Sequence, residues 1–238
     1  MQKTTLTGKR MVAEDTLEVT LARPDGFSFE AGQAIDVTLI DPPETDTEGN
    51  TRTFSIASAP HEDTLRIATR LRDTAFKRSL RSLDIGTVLC LDGPTTRFSL
   101  PADAVRPIVF IAGGIGVTPF CSMIMDAVHR GLLHRMYLFY ANREPQDAAY
   151  LAELAQLAAE QSPLAFIPTM TRVEQHGERW HGETGHIDLA MLARYLPPDT
   201  QPLYYLAGPQ GMILPLRDAL TGNGVSTGDI SYKEFSGY

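Results

Sequence analysis

Residues 109–119, which read VFIAGGIGVTP, decide the fold of the second half of the chain. An apolar run of strand length ends in glycines, and Pro119 then fits the first turn of a helix, where its missing N–H loses nothing. A strand that feeds a glycine-rich turn and a helix N-terminus is the geometry that cradles a phosphate. The spacing of Gly114, Gly116 and Pro119 departs from the dinucleotide-binding fingerprint only in its last residue. The alternative is a glycine turn that only lets the strand and the helix pack closely.

Around this stretch, strand and helix patterns alternate, which indicates a parallel sheet with helices on both faces. Ligands bind such sheets at the carboxyl ends of the strands, so the residues that follow each strand are candidate site residues. The predicted strands are 107–112, 136–141, 164–170 and 203–207, and the predicted helices are 119–131, 147–160, 188–195 and 210–221. The residues that follow the strands are 113–116, 142–143, 171–172 and 208–209.

The first part of the chain has the alternating polar and apolar pattern of short strands separated by turns, which predicts an antiparallel β-barrel. One amphipathic helix is predicted over residues 75–83. Residues 41–50, DPPETDTEGN, are too polar and too rich in proline for anything but an exposed loop. The change of periodicity predicts two domains, 1–103 and 104–238, joined at a linker over 100–103. The predicted strands are 5–13, 17–23, 34–40, 52–58, 65–71 and 87–91.

Composition narrows the class of protein. The 238 residues are 43% hydrophobic and carry a formal charge of −8, which is typical of a globular protein and argues against nucleic-acid binding. No apolar run reaches the roughly 20 residues of a membrane span, and the N-terminal sequence lacks the apolar core of a secretory signal, so a cytoplasmic protein is expected. The two cysteines, Cys90 and Cys121, are too few for a plant-type iron–sulfur cluster or a four-cysteine zinc site. We expect two buried thiols and no metal.

A second motif lies on a predicted strand of the barrel, where residues 52–58 read RTFSIAS. Arg52, Phe54 and Ser55 place a bidentate phosphate clamp, a flat apolar surface and a hydrogen-bond donor close together. Each also has an ordinary structural explanation, as an edge charge, a core ring and a solvent-facing hydroxyl.

With both motifs in this order, the chain resembles the ferredoxin–NADP reductase superfamily over nearly its whole length. That family joins an antiparallel flavin-binding barrel to an NAD(P)-binding α/β domain. The resemblance implies that Arg52 holds a phosphate of FAD, that Phe54 packs on the ribityl chain and ring, and that Ser55 reaches the N5 edge. Residues 70–80 resemble a second flavin segment that ends in a pyrophosphate-binding helix N-terminus. The further flavin-binding candidates are Thr53, Thr69, Arg70, Thr74, Ala75, Phe76 and Lys77.

Two segments of the second domain resemble the nucleotide motifs of the same family, GGIGVTP and residues 206–212, LAGPQGM. Many relatives carry a cysteine where Ala207 stands. The C-terminal KEFSGY resembles relatives in which an aromatic residue shields the flavin ring, here Phe235 or Tyr238; the alternative is an ordinary hydrophobic chain end. The implied NAD(P)-binding residues are Gly113, Gly114, Gly116, Thr118, Pro119, Asn142, Arg143, Arg172, Gly208, Pro209 and Met212.

The end of the second strand of the α/β domain bears on which nicotinamide dinucleotide is used. A guanidinium there accommodates the 2′-phosphate of NADP, whereas a carboxylate binds the free ribose hydroxyl of NAD. Arg143 and Arg172 favour NADPH, while Glu144 keeps NADH open.

The resemblance implies hydride transfer between NAD(P)H and FAD, with Ser55, Phe235 and Tyr238 at the reacting ring and without an iron–sulfur domain. We expect the electrons to pass to a redox protein such as a ferredoxin, a flavodoxin or an oxygenase component. Two alternatives stay open: a flavin or ferric reductase with a small diffusible acceptor, and a non-enzymatic regulatory protein that binds a nucleotide. The intact glycine turn together with Arg52 and Ser55 counts against the second.

Overall fold

The computed structural model describes residues 1–95, 98–101, 106–160, 163–173 and 180–235. Its first six strands form an antiparallel sheet in the order β4-β3-β6-β1-β2-β5, and a bridge between Ile56 and Ile67 joins the two ends of the sheet. The predicted antiparallel barrel is therefore confirmed. Its elements are β1 Gln2–Ala13, β2 Thr16–Ala22, β3 Ala34–Leu39, β4 Thr51–Ser55, β5 Thr64–Arg70, α1 Ala75–Ser82 and β6 Val88–Thr95.

Strand alternation places one apolar row inside the barrel. Val19, Ile35 and Leu89 are fully buried there, and α1 adds Phe76, whose ring packs against Phe54 at 5.9 Å between centroids. The same alternation explains why the expectation for Cys90 was wrong: between the inward Leu89 and Leu91, it faces outward and is partly exposed.

The second sheet is parallel throughout, in the order β10-β9-β8-β7-β11-β12. The predicted α/β domain is confirmed, but its sheet has two strands more than the four predicted. One is only two residues long, and the other, ISYKE, is an edge strand whose mostly exposed side chains leave no apolar pattern. The elements are β7 Ile108–Gly113, α2 Thr118–His129, β8 Met136–Asn142, α3 Leu151–Ala159, β9 Leu164–Met170, β10 Glu183–Thr184, α4 Leu189–Tyr195, β11 Leu203–Gly208, α5 Gln210–Gly222 and β12 Ile230–Glu234.

Helices cover both faces of this sheet. Phe110 packs with α2 and α3 on one face, and the preceding Val109 packs with α4 and α5 on the other. Every residue of β7 is buried, which is why its sequence is continuously apolar rather than alternating. Cys121, on α2, is buried as expected, and burial raises the pKa of its thiol to about 12.

Polar contacts hold the barrel against the carboxyl-end side of the sheet. The Ser122 hydroxyl donates to the Ser58 carbonyl at 2.7 Å, and the Glu14 N–H donates to the Gln146 carbonyl at 2.8 Å. An ion pair of 2.7 Å joins Arg10 on β1 to Glu153 on α3. The predicted boundary between residues 103 and 104 lies outside the described residues.

A buried carboxylate anchors this side of the barrel. Glu18, on β2, is only 2% exposed and lies 2.6 Å from Arg10 Nε and 3.3 Å from Arg66 Nη1. Burial by itself raises the pKa of Glu18, but the hydrogen bond from Arg10 and the charge of Arg66 outweigh it and bring the pKa below its ordinary value. Glu18 is therefore ionised in the folded protein.

We predict that Glu18→Gln lowers the free energy of unfolding by about 2 to 4 kcal/mol, because two guanidinium groups lose their buried partner. Since the folded pKa lies below the unfolded value, near 4.5, this stability is present above that pH and is lost as the pH falls through the folded pKa. Denaturant titrations from pH 7 to pH 3 measure both effects. Glu153→Gln, which removes the exposed partner of Arg10, is the control and should change the free energy by less than about 1 kcal/mol.

Candidate functional site

Two adjoining cavities lie where the barrel meets the carboxyl ends of the parallel strands. The barrel cavity, of about 600 Å³, contains segments from β4, β5, α1 and the glycine turn. The sheet cavity, of about 510 Å³, contains the residues that follow β7, β8, β9 and β11. Arg70 and Arg72 line both cavities, which makes them two parts of one cleft.

The predicted flavin residues that line the barrel cavity are Arg52, Thr53, Phe54, Ser55, Thr69, Arg70, Thr74, Lys77 and Phe235, together with Thr118 from the nucleotide set. Ala75 and Phe76 are buried behind the cavity wall. The cavity also has four residues that we did not predict: Glu48, Ala68, Arg72 and Ile115. Arg72 lies within the 70–80 segment and Ile115 within the GGIGVTP turn, whereas Glu48 and Ala68 belong to no motif.

The hydroxyl of Ser55 lines the barrel cavity without a hydrogen-bond partner among the described residues. The Ser55 side chain is only 3% exposed. A buried hydroxyl without a partner costs about 1 to 3 kcal/mol, so an unpartnered hydroxyl facing a cavity indicates a ligand with a complementary polar atom. Phe54, on the same strand, supplies an apolar wall beside it.

The α1 end of the barrel cavity is cationic. Arg52 lies above the Phe76 ring at 5.1 Å, and Arg72 and Lys77 line the same end. Burial lowers the pKa of Lys77, and the nearby charges of Arg72 and Arg52 lower it further. Thr74 caps α1, because its Oγ1 accepts from the Lys77 N–H at 3.4 Å. Three cations beside a helix N-terminus form a site for an anion.

Some residues of the glycine turn line a cavity, and others allow close packing. Gly113 and Gly114 line the sheet cavity. Gly116 does not: a Cβ at this position would lie 2.2 Å from the Ala207 carbonyl oxygen, so this glycine allows the turn to pack on β11. Gly208 packs against Gly113, Pro119 is buried in the first turn of α2, and neither lines a cavity.

The sheet cavity is lined by Asn142, Arg143, Arg172, Pro209 and Met212 of the predicted set. The Arg172 N–H donates to the Arg143 carbonyl at 2.9 Å, which keeps these residues adjacent. Both side chains are exposed, and within the described ranges no carboxylate forms an ion pair with either guanidinium. Asn142 is buried, and its Nδ2 has no partner in the described part of the chain. The residues of this cavity that we did not predict individually are Arg72, Ala141, Asp147, Thr171 and His186.

Where the two cavities meet, residues from both halves of the molecule are in contact. Arg70, on β5, forms a 2.7 Å ion pair with Asp147, which lies between β8 and α3. Phe235 follows β12, and its N–H donates to the Gly208 carbonyl at 2.9 Å, which holds its ring at the barrel cavity under Lys233. Tyr238 lies outside the described residues.

Comparison with known proteins agrees with this architecture. The family described as oxidoreductase NAD-binding domain matches residues 110–217. The chain is 29% identical to ferredoxin–NADP reductase B of Sorangium cellulosum, over 86% of this chain and 85% of that protein. It is also 29% identical to the reductase component of phenol 2-monooxygenase from a Pseudomonas species, over 83% of this chain but only 54% of that protein. No helix in the described ranges is long and apolar enough to cross a membrane.

Solved structures match the complete two-part fold. The FAD/NAD-binding domain of nitric oxide dioxygenase from Vibrio cholerae superposes with a TM-score of 0.84 at 22% identity, over 98% of both chains. A ferredoxin–NADP reductase from Neisseria gonorrhoeae, solved with FAD and NADP bound, superposes with a TM-score of 0.81 at 20% identity, again over 98% of both. The antiparallel barrel, the glycine turn after β7 and the cleft between the two halves give the chain the two-part fold of the ferredoxin–NADP reductase and the FAD/NAD-binding domain that it matches.

Proposed function

We propose that the chain binds FAD in the barrel cavity and NAD(P)H in the sheet cavity, and that it transfers a hydride between them. The observation that carries this proposal is the junction of the two cavities at Arg70, which gives the two ligands a common cleft. The bound flavin supplies the redox chemistry, because it accepts the hydride and can release electrons singly. The chain itself has to position the two rings in contact and keep water away from them.

In this proposal each half of the cleft has a defined task. Ser55 Oγ, which has no partner in the described structure, would donate to the N5 edge of a bound flavin, and Phe54 would pack against its ring and ribityl chain. Arg52, Arg72 and Lys77 hold the phosphates at the N-terminus of α1. Phe235, which lines the same cavity, would cover the flavin ring and would have to move aside when the nicotinamide binds.

We further propose that the electrons pass to a redox protein, such as a ferredoxin or an oxygenase component. The names of relatives support this, since they include a ferredoxin–NADP reductase and the reductase components of phenol 2-monooxygenase and propane 2-monooxygenase. The chain covers 54% and 63% of the latter two, so those relatives contain additional sequence. A protein acceptor should show salt-dependent turnover, whereas reduction of a small neutral acceptor should not.

The first experiment tests flavin binding. Arg52→Ala should weaken FAD binding by about 2 kcal/mol or more, because a partly buried phosphate loses a charge-assisted partner. Fluorescence titration measures the affinity, and mass spectrometry of the released cofactor identifies it. Arg78→Ala, which removes a cation of α1 that pairs with Glu44 and does not line the barrel cavity, is the control. Release of FMN would contradict the FAD assignment, and a chain that binds no flavin would contradict the proposed function.

The second prediction concerns Phe235. Deleting residues 235–238 should change the absorption and fluorescence of the bound flavin and let the nicotinamide reach the ring more readily, because an aromatic cover is removed. Spectra recorded with and without NADP⁺ measure both effects. Tyr232→Ala, on the edge strand β12 that precedes Phe235 and outside the barrel cavity, is the control. Spectra identical to those of the intact chain would place the flavin away from the tail.

The third prediction concerns the nicotinamide dinucleotide. If Arg143 and Arg172 bind the 2′-phosphate, NADPH gains two charge-assisted contacts, which their exposure reduces to a preference of about tenfold to a few hundredfold in kcat/KM. Arg143→Ala should lower turnover with NADPH and leave turnover with NADH nearly unchanged. Steady-state kinetics with both cofactors measures this. A wild type that favours NADH, or a variant that slows both equally, would assign ribose recognition to Glu144 or another group.

A further inference from the structure

The loop of residues 41–50, which we name the acidic loop, folds back onto the cationic end of the barrel cavity. Its Glu48 carboxylate lies 2.7 Å from Arg52 Nη2. Its Asp46 carboxylate lies 3.6 Å from the same nitrogen through one oxygen and accepts from the Ala75 N–H at 3.3 Å through the other. One carboxylate thus bridges Arg52 and the first N–H of α1, the two groups that the proposed function assigns to a flavin phosphate.

These contacts are poor substitutes for a phosphate. The bridging distances of Asp46 are at the long end of the range for hydrogen bonds and ion pairs, and the Glu48 side chain is 69% exposed. Arg72 and Lys77 have no ion-pair partner within the described ranges, so two carboxylates face three cations at this end. Among the described residues, the Glu48 carboxylate opposes the positive charges that lower the pKa of Lys77. An anion with more charge and more acceptor atoms would bind here more strongly than the acidic loop does.

The acidic loop and a cofactor phosphate cannot both hold these groups. A phosphate on Arg52 and the α1 N-terminus would lie in contact with the carboxylates of Asp46 and Glu48, and like charges at that distance repel. Arg52 Nη1 also donates to the backbone carbonyls of Glu48, Gly49 and Thr51, which carry no net charge. The Glu48 ion pair is exposed, and exposed ion pairs contribute only about 0 to 1 kcal/mol, so a phosphate can displace this carboxylate from Arg52.

We propose that Asp46 and Glu48 are intramolecular competitors of the flavin phosphate: they occupy its site until the cofactor binds, and so determine the affinity for phosphate-bearing flavins. This inference rests on the proposed function, since it requires a flavin in the barrel cavity. It assigns the acidic loop a task that its composition alone does not predict.

The test is an equilibrium titration of the full-length chain, freed of bound flavin, with FAD, FMN and riboflavin. The variant is Asp46→Asn with Glu48→Gln, which removes both charges. The amide that replaces the Asp46 carboxylate still has a side-chain oxygen to accept from the Glu48 N–H, a contact of 3.0 Å, so the turn is preserved. The matched control is Glu44→Gln, which removes a charge from the same loop, but one paired with Arg78 at 2.5 Å outside the cavity.

We expect the double variant to bind FAD and FMN about three- to thirtyfold more tightly, and riboflavin, which has no phosphate, within about twofold of the wild type. The Glu44→Gln control distinguishes direct competition from a general loss of negative charge. It should leave the affinities for FAD, FMN and riboflavin within about twofold of the wild type. Should the double variant fail to fold, as judged by its thermal unfolding, Glu48→Gln alone gives the test, because this side chain is largely exposed.

Unchanged or weaker binding of FAD and FMN by the double variant would overturn the inference and leave the proposed function intact. If the double variant also bound riboflavin more tightly, to the same degree as FAD, the inference would be overturned, because riboflavin has no phosphate. If Glu44→Gln tightened FAD binding as much as the double variant does, the inference would also be overturned, because Glu44 does not contact Arg52. A wild type that binds none of the three flavins would contradict the proposed function itself, and the inference with it.

Discussion

The cleft depends on one constraint: the barrel has to be held against the carboxyl ends of the parallel strands. Each half supplies only part of the site, since Ser55 and Lys77 come from the barrel and Asn142 and Arg143 from the sheet. The Ser122–Ser58 hydrogen bond joins the two halves, and the Arg70–Asp147 ion pair joins them at the cavities. Because apolar packing is non-directional, such polar contacts are what fix the register of one half on the other.

The elements that bury a face could be predicted from the sequence. Residues of β7 are continuously apolar because helices cover both faces of that strand, and the α1 sequence places Phe76 and Leu80 on the buried side and Lys77 and Arg78 on the other. Where burial is weak, prediction failed. The edge strand β12 has mostly exposed side chains, and two-residue β10 is too short to have a period.

For the candidate site, residues within sequence motifs could be predicted and residues of polar loops could not. Motif residues such as Ser55 and Gly114, which line the cavities, could be predicted because each belongs to a short sequence pattern, RTFSIAS or GGIGVTP, with a definite local geometry. Asp147 and Glu48 reach the cleft only because tertiary packing brings their loops to it, and a charged residue in a polar loop looks the same in sequence whether or not it faces a cavity. Gly116 shows the opposite error: it belongs to the glycine motif and was predicted to line the site, but it lies against Ala207 rather than in the cavity.

The two cavities of the cleft each contain one buried polar atom without a hydrogen-bond partner among the described residues. Ser55 Oγ lies in the barrel cavity, Asn142 Nδ2 lies in the sheet cavity, and both are buried without a partner in the described structure. A buried polar atom that stays without a partner costs about 1 to 3 kcal/mol, a large share of the margin of an ordinary domain. A ligand that satisfies them returns that free energy as affinity, and by linkage stabilises the folded state in proportion to its binding. Stability given up at these two atoms is therefore part of how the fold recognises what it binds.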